Sequence, residues 1–336
     1  MKKEAIESIL ELLATPKKIA IIPHKNSDGD AMGSTLGLYH FLLKLNHEPV
    51  VVAPNNFPNF LAWLPGSEKI LIFENEVDKT TKILQEASIV FTLDFNALHR
   101  VGTEMENVLK TLQSPFIMID HHQKPDDYAK YMFSDTNYGS TCEMLYHFIS
   151  QLGFLNLIDK TSGTCIYTGI LTDSGSFRYP KTTGATHRIV ADLIDLGVEN
   201  TNIPSLLFDN NSYERLQLMG CAFQNLKIIS EKNTSYTTLS QKELDSFNYV
   251  KGDTEGLVNY GLTIKGIIFA AIFIENQAEK IIKISFRSQG NFDVNIFSRT
   301  YFEGGGHINA AGGKSSLSLD ETILKFTDII NSIEIN

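Results

Sequence analysis

The chain has 336 residues, 43% of them apolar and 20% charged, which is enough for two domains with real cores and excludes disorder or a coiled coil. Its 29 basic against 39 acidic residues give a net charge of -10, which argues against coating long nucleic acid through phosphates, so any anionic substrate must be held locally. The longest strongly apolar stretch without a charge, Gly266 to Ile274, is far short of the roughly 20 residues of a membrane helix.

At the N-terminus, MKKEAIESILELL sets glutamates among apolar residues at helical spacing, which leaves no signal-peptide core and points to the cytoplasm. Four buried strands are predicted over Ile19 to Pro23, Pro49 to Ala53, Ile89 to Asp94 and Phe116 to Asp120, as continuous β-branched and aromatic runs. A helical pattern from Ala31 to Leu45 lies between the first two, and this alternation predicts a mostly parallel sheet covered on both faces. Helices follow over Ser140 to Leu152, Ser162 to Leu171 and Ala185 to Leu196, the last preceded by capping threonines Thr182 and Thr183. Residues 1–198 read as one domain and residues 199–235 as a linker with a helix from about Ser212 to Ile229. Residues 236–336 read as a smaller α/β domain, with strands at Tyr236 to Leu239, Gly266 to Ile274 and Ile281 to Arg287 and a closing helix from Glu321 to Ile333. Cys142, Cys165 and Cys221, with no CxxC, fit buried thiols in a reducing compartment.

Four segments carry chemistry, and three of them sit where a predicted strand ends, the carboxyl edge at which open parallel sheets bind ligands. His24, Asp28 and Asp30 follow the first strand; a helix cap needs one acid, so two acids and a histidine favour a metal site. Asp94 ends the third strand, and Asp120-His121-His122 ends the fourth. Successive side chains of an extended backbone alternate, so one of the two histidines is expected to bind metal while the other does something else. Asp173 ends a helix, where TDSG also reads as a capped turn. Four carboxylates, two imidazoles and no thiolate suit manganese or magnesium, with zinc or iron as alternatives, and six ligands are too many for one tetrahedral zinc, which leads to a pair of metals sharing one carboxylate. Such a pair activates a bridging hydroxide for in-line displacement at phosphorus.

The order HxxxDxD, Asp, DHH, Asp, then GGGH resembles the DHH/DHHA1 phosphoesterase family, and GGGHINAAGG is most similar to its nanoRNase and pAp-phosphatase branch. The resemblance implies an N-terminal DHH domain with a five-stranded parallel sheet and a C-terminal DHHA1 domain that binds substrate. It implies that His24, Asp28 and Asp94 hold one manganese, and Asp30, Asp94, His121 and Asp173 the other, with Asp94 bridging. Asp120 would orient an imidazole, and His122 would face the scissile phosphate or support the site. For the substrate, Gly304, Gly305 and Gly306 offer backbone amides, and His307, Arg287 and Arg299 supply cations. Arg178, and Ser140 or Thr141, the latter pair at a helix N-terminus suited to anions, are further candidates.

From Tyr236 onward, 9 basic face 12 acidic residues, so the second domain is expected to be a pocket rather than a nucleic-acid track. The function implied is hydrolysis of short oligoribonucleotides to mononucleotides and of pAp to AMP. Alternatives are a cyclic- or linear-dinucleotide phosphodiesterase, an exopolyphosphatase, or a nucleotide-binding regulator with a vestigial site. Long nucleic acid and membranes are not expected partners, and a homodimer is compatible with the sequence.

Overall fold

The computed structural model describes residues 2–209 and 211–335. They form two compact units, Met1–Asn210 and Asn211–Asn336. Among the described residues, no helix is long and apolar enough to cross a membrane.

In the first unit, β1 (Lys18–Pro23), β2 (Glu48–Ala53), β3 (Leu71–Ile72), β4 (Ile89–Leu93), β5 (Phe116–Asp120) and β6 (Tyr131–Ser134) make one sheet in the order β3-β2-β1-β4-β5-β6. Every neighbouring pair is parallel. Six strands replace the expected five, because the short edge strands β3 and β6 carry too few residues to stand out as β-branched runs. The helices are α1 (Lys3–Leu13), α2 (Gly29–Lys44), α3 (Val77–Glu86), α4 (Thr103–Leu109), α5 (Thr141–Gln151), α6 (Lys160–Asp173), α7 (Gly184–Asp195) and α8 (Asn202–Phe208).

Alternate strand residues feed two cores, as the period of two in a strand requires. Ile21, Phe91 and Ile119 pack with Leu36, Phe148 and Ile166 on one face. Ile22, Val90 and Met118 pack with Leu84 and Met105 on the other. On the first face, α2 meets α6 with almost no space between backbones: a Cβ on Gly33 would lie 2.5 Å from the Cys165 carbonyl oxygen. A Cβ on Gly169 would overlap Cys142 Sγ and stand 2.7 Å from Asp30 Oδ1. This bare seam lets the start of α2 and the end of α6 reach the same end of the sheet.

Segment 199–235 is divided between the units, with α8 in the first and α9 (Tyr213–Gln224) and β7 (Lys227–Ile229) in the second. The helix expected over 212–229 stops at Gln224. Asn225 there donates its side-chain amide to the Thr238 carbonyl (2.9 Å), and Lys227–Ile229 pairs as a strand instead.

The second unit holds β7, β8 (Thr234–Leu239), β9 (Phe269–Asn276), β10 (Ile281–Ser288), β11 (Gly305–Gly306) and β12 (Ala310–Ser315), in the order β11-β12-β10-β9-β8-β7. Only β8 and β9 run parallel. Its helices after α9 are α10 (Gln241–Ser246), α11 (Leu257–Gly261), α12 (Val294–Tyr301) and α13 (Leu319–Ser332). One face of the sheet carries a phenylalanine core, with Phe269, Phe273 and Phe286 against Phe297, Phe302 and Phe326. On the other, Ala270 and Ile272 meet Leu218, Leu244 and Leu257 of α9, α10 and α11.

Candidate functional site

Strand order reverses at β1, whose neighbours β2 and β4 are each reached through a crossover, so the loops after β1 and β4 diverge and leave a crevice at their carboxyl ends. All six residues expected as metal ligands come together there. His24 follows β1, Asp30 lies in the first turn of α2, Asp94 follows β4, His121 follows β5, and Asp173 ends α6. Asp28 is the N-cap of α2, accepting from the backbone N–H groups of Asp30 and Ala31 (both 3.1 Å). The capping role and the place in the cluster therefore coexist in one carboxylate.

The two imidazoles are oriented in the same way. His24 Nδ1 lies 2.9 Å from the Lys25 carbonyl and His121 Nδ1 3.4 Å from the Tyr138 carbonyl. A carbonyl only accepts, so each Nδ1 carries the proton and each Nε2 turns its lone pair inward. Around His121 Nε2 stand Asp173 Oδ2 at 3.3 Å, Asp94 Oδ1 at 3.4 Å and Asp30 Oδ2 at 3.7 Å. Around His24 Nε2 stand Asp94 Oδ2 at 3.4 Å and Asp28 Oδ1 at 4.0 Å. Donors about 2.1 Å from one cation stand roughly 3.0 to 3.4 Å apart, so most of these spacings suit a shared ion better than direct hydrogen bonds. Each oxygen of Asp94 faces a different imidazole, the arrangement a carboxylate shared by two ions needs. The donor set fits two divalent cations.

Several residues not expected in this role hold these groups, and Thr141, read from the sequence as an anion-binding candidate, does so toward carboxylates of the chain itself. Thr141 Oγ1 donates to Asp94 Oδ1 (2.8 Å). The backbone N–H groups of Thr141 and Cys142 donate to Asp30 Oδ2 (2.6 Å) and Oδ1 (2.9 Å), so the anion at the N-terminus of α5 is Asp30 itself. Ser140, expected to meet substrate there, is 1% exposed, and its hydroxyl accepts from the Glu143 N–H as the cap of α5. Asn55 exchanges two hydrogen bonds with Asn26, whose φ is 59°, and thereby pins the loop between His24 and Asp28. Asp94 sits at φ 65°, a left-handed backbone held against its preference where β4 ends.

His122 Nδ1 donates to Asp120 Oδ1 (2.8 Å), and the His122 N–H reaches Asp120 Oδ2 (3.1 Å). The expected alternation of the two histidines does not hold: β5 ends at Asp120, and both rings approach Asp94 Oδ1, at 3.4 and 3.7 Å. They still divide their partners, with His121 among Asp30, Asp94 and Asp173 and His122 on Asp120.

The charges are strongly coupled. When a proton rather than a cation occupies Nε2, His121 and His24 donate to Asp94, and these hydrogen bonds and the charge of His122 hold it well below the usual carboxylate range although burial opposes its ionisation. Burial likewise opposes the His121 proton, and Asp94, Asp173 and Asp30 outweigh it, raising its pKa to about 10. Burial lifts Asp173 to about 7, against the pull of His121 and with the help of Asp28 and Asp94. Protons and divalent cations therefore compete for the same atoms.

In the second unit, β10 and the glycine segment meet. Arg287 pairs in register with Ala310, whose carbonyl accepts from the His307 N–H (2.6 Å), and Gly306 pairs with Ala311. Arg287 turns one guanidinium nitrogen to the Phe286 carbonyl (2.9 Å). The Gly306 N–H, expected to meet substrate, donates instead to Asn295 Oδ1 (2.9 Å). Gly304 is glycine for packing, since a Cβ there would overlap the Gly312 carbonyl oxygen. Arg299 lies along Gly305. Arg178 belongs to the first unit, exposed after three consecutive left-handed residues, Gly175, Ser176 and Phe177, with its Nε on the Gly175 carbonyl (2.8 Å).

Residues 18–170 match the DHH family, N-terminal domain, and residues 234–333 match the DHHA1 domain. The bifunctional oligoribonuclease and PAP phosphatase NrnA of Thermus thermophilus is 30% identical over 328 residues, covering 95% of this chain and 90% of that protein. A probable protein of the same name from Streptococcus mutans is 29% identical over 322 residues, covering 95% and 96%. Among solved structures, an exopolyphosphatase-related protein from Bacteroides fragilis is 36% identical with a TM-score of 0.94, over 98% of this chain and 96% of that one. The chain belongs to the DHH family, its DHH domain followed by a DHHA1 domain.

Proposed function

We propose that this protein is a phosphoester hydrolase that cuts short oligoribonucleotides to mononucleotides and converts pAp to AMP. The observation that carries this reading is the crevice at the end of β1 and β4, where both oxygens of Asp94 are shared between two imidazole-centred carboxylate sets. The names of the relatives supply the substrate class.

Two divalent cations, manganese in our reading, held by His24, Asp28 and Asp94 and by Asp30, Asp94, His121 and Asp173, would set positive charge against the phosphate and acidify water there. The remaining work belongs to the chain. Thr141 and the α5 amides fix Asp94 and Asp30 in the rotamers that face the ions. Asp120 holds the proton of His122 on Nδ1, so Nε2 is the atom that exchanges a proton with the leaving oxygen. Arg287, Arg299 and His307 bind the nucleotide phosphates. The acidic surface repels whatever extends beyond the first few nucleotides.

The likeness to an exopolyphosphatase-related protein of Bacteroides fragilis favours a second reading, hydrolysis of polyphosphate. One experiment decides between them: product analysis after incubation with manganese and a diribonucleotide, pAp, a ladder of longer oligoribonucleotides, or polyphosphate. We expect mononucleotides from the shortest RNAs and AMP from pAp, with kcat/KM falling as length grows. Turnover of polyphosphate alone refutes the nucleotide reading, and a flat length profile refutes the local pocket.

A further inference from the structure

Asn295 carries no signal in the sequence, and it occupies a revealing position. It lies in α12 and is 2% exposed, yet its side chain is polar and the helix around it is otherwise packed with Val294, Phe297 and Ser298. Its Oδ1 accepts two hydrogen bonds, from the Gly306 backbone N–H (2.9 Å) and from Arg299 Nε one turn along the helix (3.0 Å). One buried carbonyl oxygen therefore ties the glycine strand β11 to an arginine.

The arginine is held from a second side as well. A Cβ on Gly305 would meet Arg299 Nε, Cζ and a terminal nitrogen at 3.3 to 3.4 Å, so all three planar atoms lie at similar distance over a backbone without a side chain. A guanidinium fixed through Nε and laid flat keeps its two terminal NH2 groups in one plane, side by side, the fork that matches two oxygens of a phosphate. The residue is exposed, and among the described residues its one hydrogen bond is the one to Asn295. An ordinary surface arginine loses rotamer freedom when it binds an anion; this one has lost it already.

We propose that Asn295 is a positioning residue of the DHHA1 domain, which presets the Arg299 guanidinium against Gly305 so that its terminal nitrogens receive a phosphomonoester group of the nucleotide. The proposal rests on the phosphoester reading above. It goes beyond that reading in assigning Arg299 a fixed orientation and in naming the residue responsible.

The test uses the full-length protein with manganese and pAp. Arg299→Ala removes an exposed side chain and should raise KM about ten- to a hundredfold, the range of one charge-assisted hydrogen bond, while kcat stays nearly constant. Asn295→Ala should raise KM comparably. The double variant should be no worse than Arg299→Ala alone, because Asn295 acts through the arginine. Additive losses, or an Arg299→Ala protein with the parental KM, overturn the proposal.

A second measurement needs no turnover. The Nε–H resonance of Arg299 should exchange slowly with solvent in the parent, shift on addition of AMP, and become rapidly exchanging in Asn295→Ala. If Asn295→Ala does not fold, the AMP response and Arg299→Ala decide alone. If the parent hydrolyses no nucleotide, the reading above fails, and the AMP response then decides the proposal, which an unmoved Arg299 resonance overturns.

Discussion

The seam between α2 and α6 makes a sharp test of how the site is assembled. In Gly169→Ala the new methyl group would overlap Cys142 Sγ, stand 2.7 Å from Asp30 Oδ1 and 3.0 Å from Asp30 Cα, while normal contacts need roughly 3.5 Å or more. It would enter the space beside the hydrogen bond from the Cys142 N–H to Asp30 Oδ1. Relief requires α6 to withdraw from α2 and α5 by about 1 Å, which moves Asp173, at the end of α6, relative to His121. Alanine gains up to about 1 kcal/mol over glycine within a helix, and overpacking costs about 1 to 3 kcal/mol. The net expectation is a loss of about 1 to 2 kcal/mol and a fall in Tm of roughly 2 to 8 °C. A displacement of about 1 Å at a catalytic group can cost about a hundredfold in rate, so activity should suffer far more than stability. The assay is thermal unfolding of the full chain, manganese titration and kcat/KM for pAp, repeated with Cys142→Ala and with both changes together. Removing Sγ clears the worst overlap, so the double variant should recover part of the loss. A Gly169→Ala protein with parental manganese affinity and activity, or strictly additive effects, would show that the seam does not position the site.

Three further outcomes follow from the geometry. Manganese at about a hundred times its Kd should stabilise the protein by about 2.7 kcal/mol, and Asp94→Ala, which removes the carboxylate common to both sets, should abolish that gain; a full gain in the variant refutes the shared ligand. Asp120→Asn should lower kcat at least tenfold at nearly constant manganese affinity, read by kinetics and titration, because the partner of His122 Nδ1 would no longer be a carboxylate; unchanged kcat removes His122 from proton transfer. Phe326→Ala, at a fully buried position ringed by Phe269, Phe273 and Phe286, should cost about 3 to 5 kcal/mol in denaturant unfolding of the second unit while manganese binding stays as it was.

Much of the first unit was legible because its central strands are buried on both faces and so read as unbroken apolar runs. Leu71–Ile72 and Tyr131–Ser134 escaped because edge strands need neither length nor such a run. Lys227–Ile229 was absorbed into a helix for the opposite reason: its apolar pair continues the helical pattern, and only the pairing with β8 makes it a strand. In the site, carboxylates and imidazoles announced themselves by type and by their place at strand ends. The groups that hold them did not. The bond from the Thr141 N–H to Asp30 joins residues 111 apart through the backbone, which has no sequence signature. Asn55 and Asn295 are ordinary polar residues until the elements around them are packed. Ser140 shows the converse, since a helix start that looked open to anions was already filled by a carboxylate of the same chain.

The parallel sheet of the first unit also bears on how the chain folds. The pairs on either side of the crevice join segments far apart in sequence: Ile19 pairs with Ile89, and Val90 with Phe116. No hairpin can nucleate such a sheet, so loop-closure entropy must be met before any central pairing stabilises the chain. During synthesis β1 can pair with β2, but its other edge waits until β4 has emerged, leaving Ile19 to Ile22 open to a wrong partner on that side. Refolding of the first unit should therefore be slow, and the two strands that create the crevice should be among the segments most exposed to aggregation until it forms.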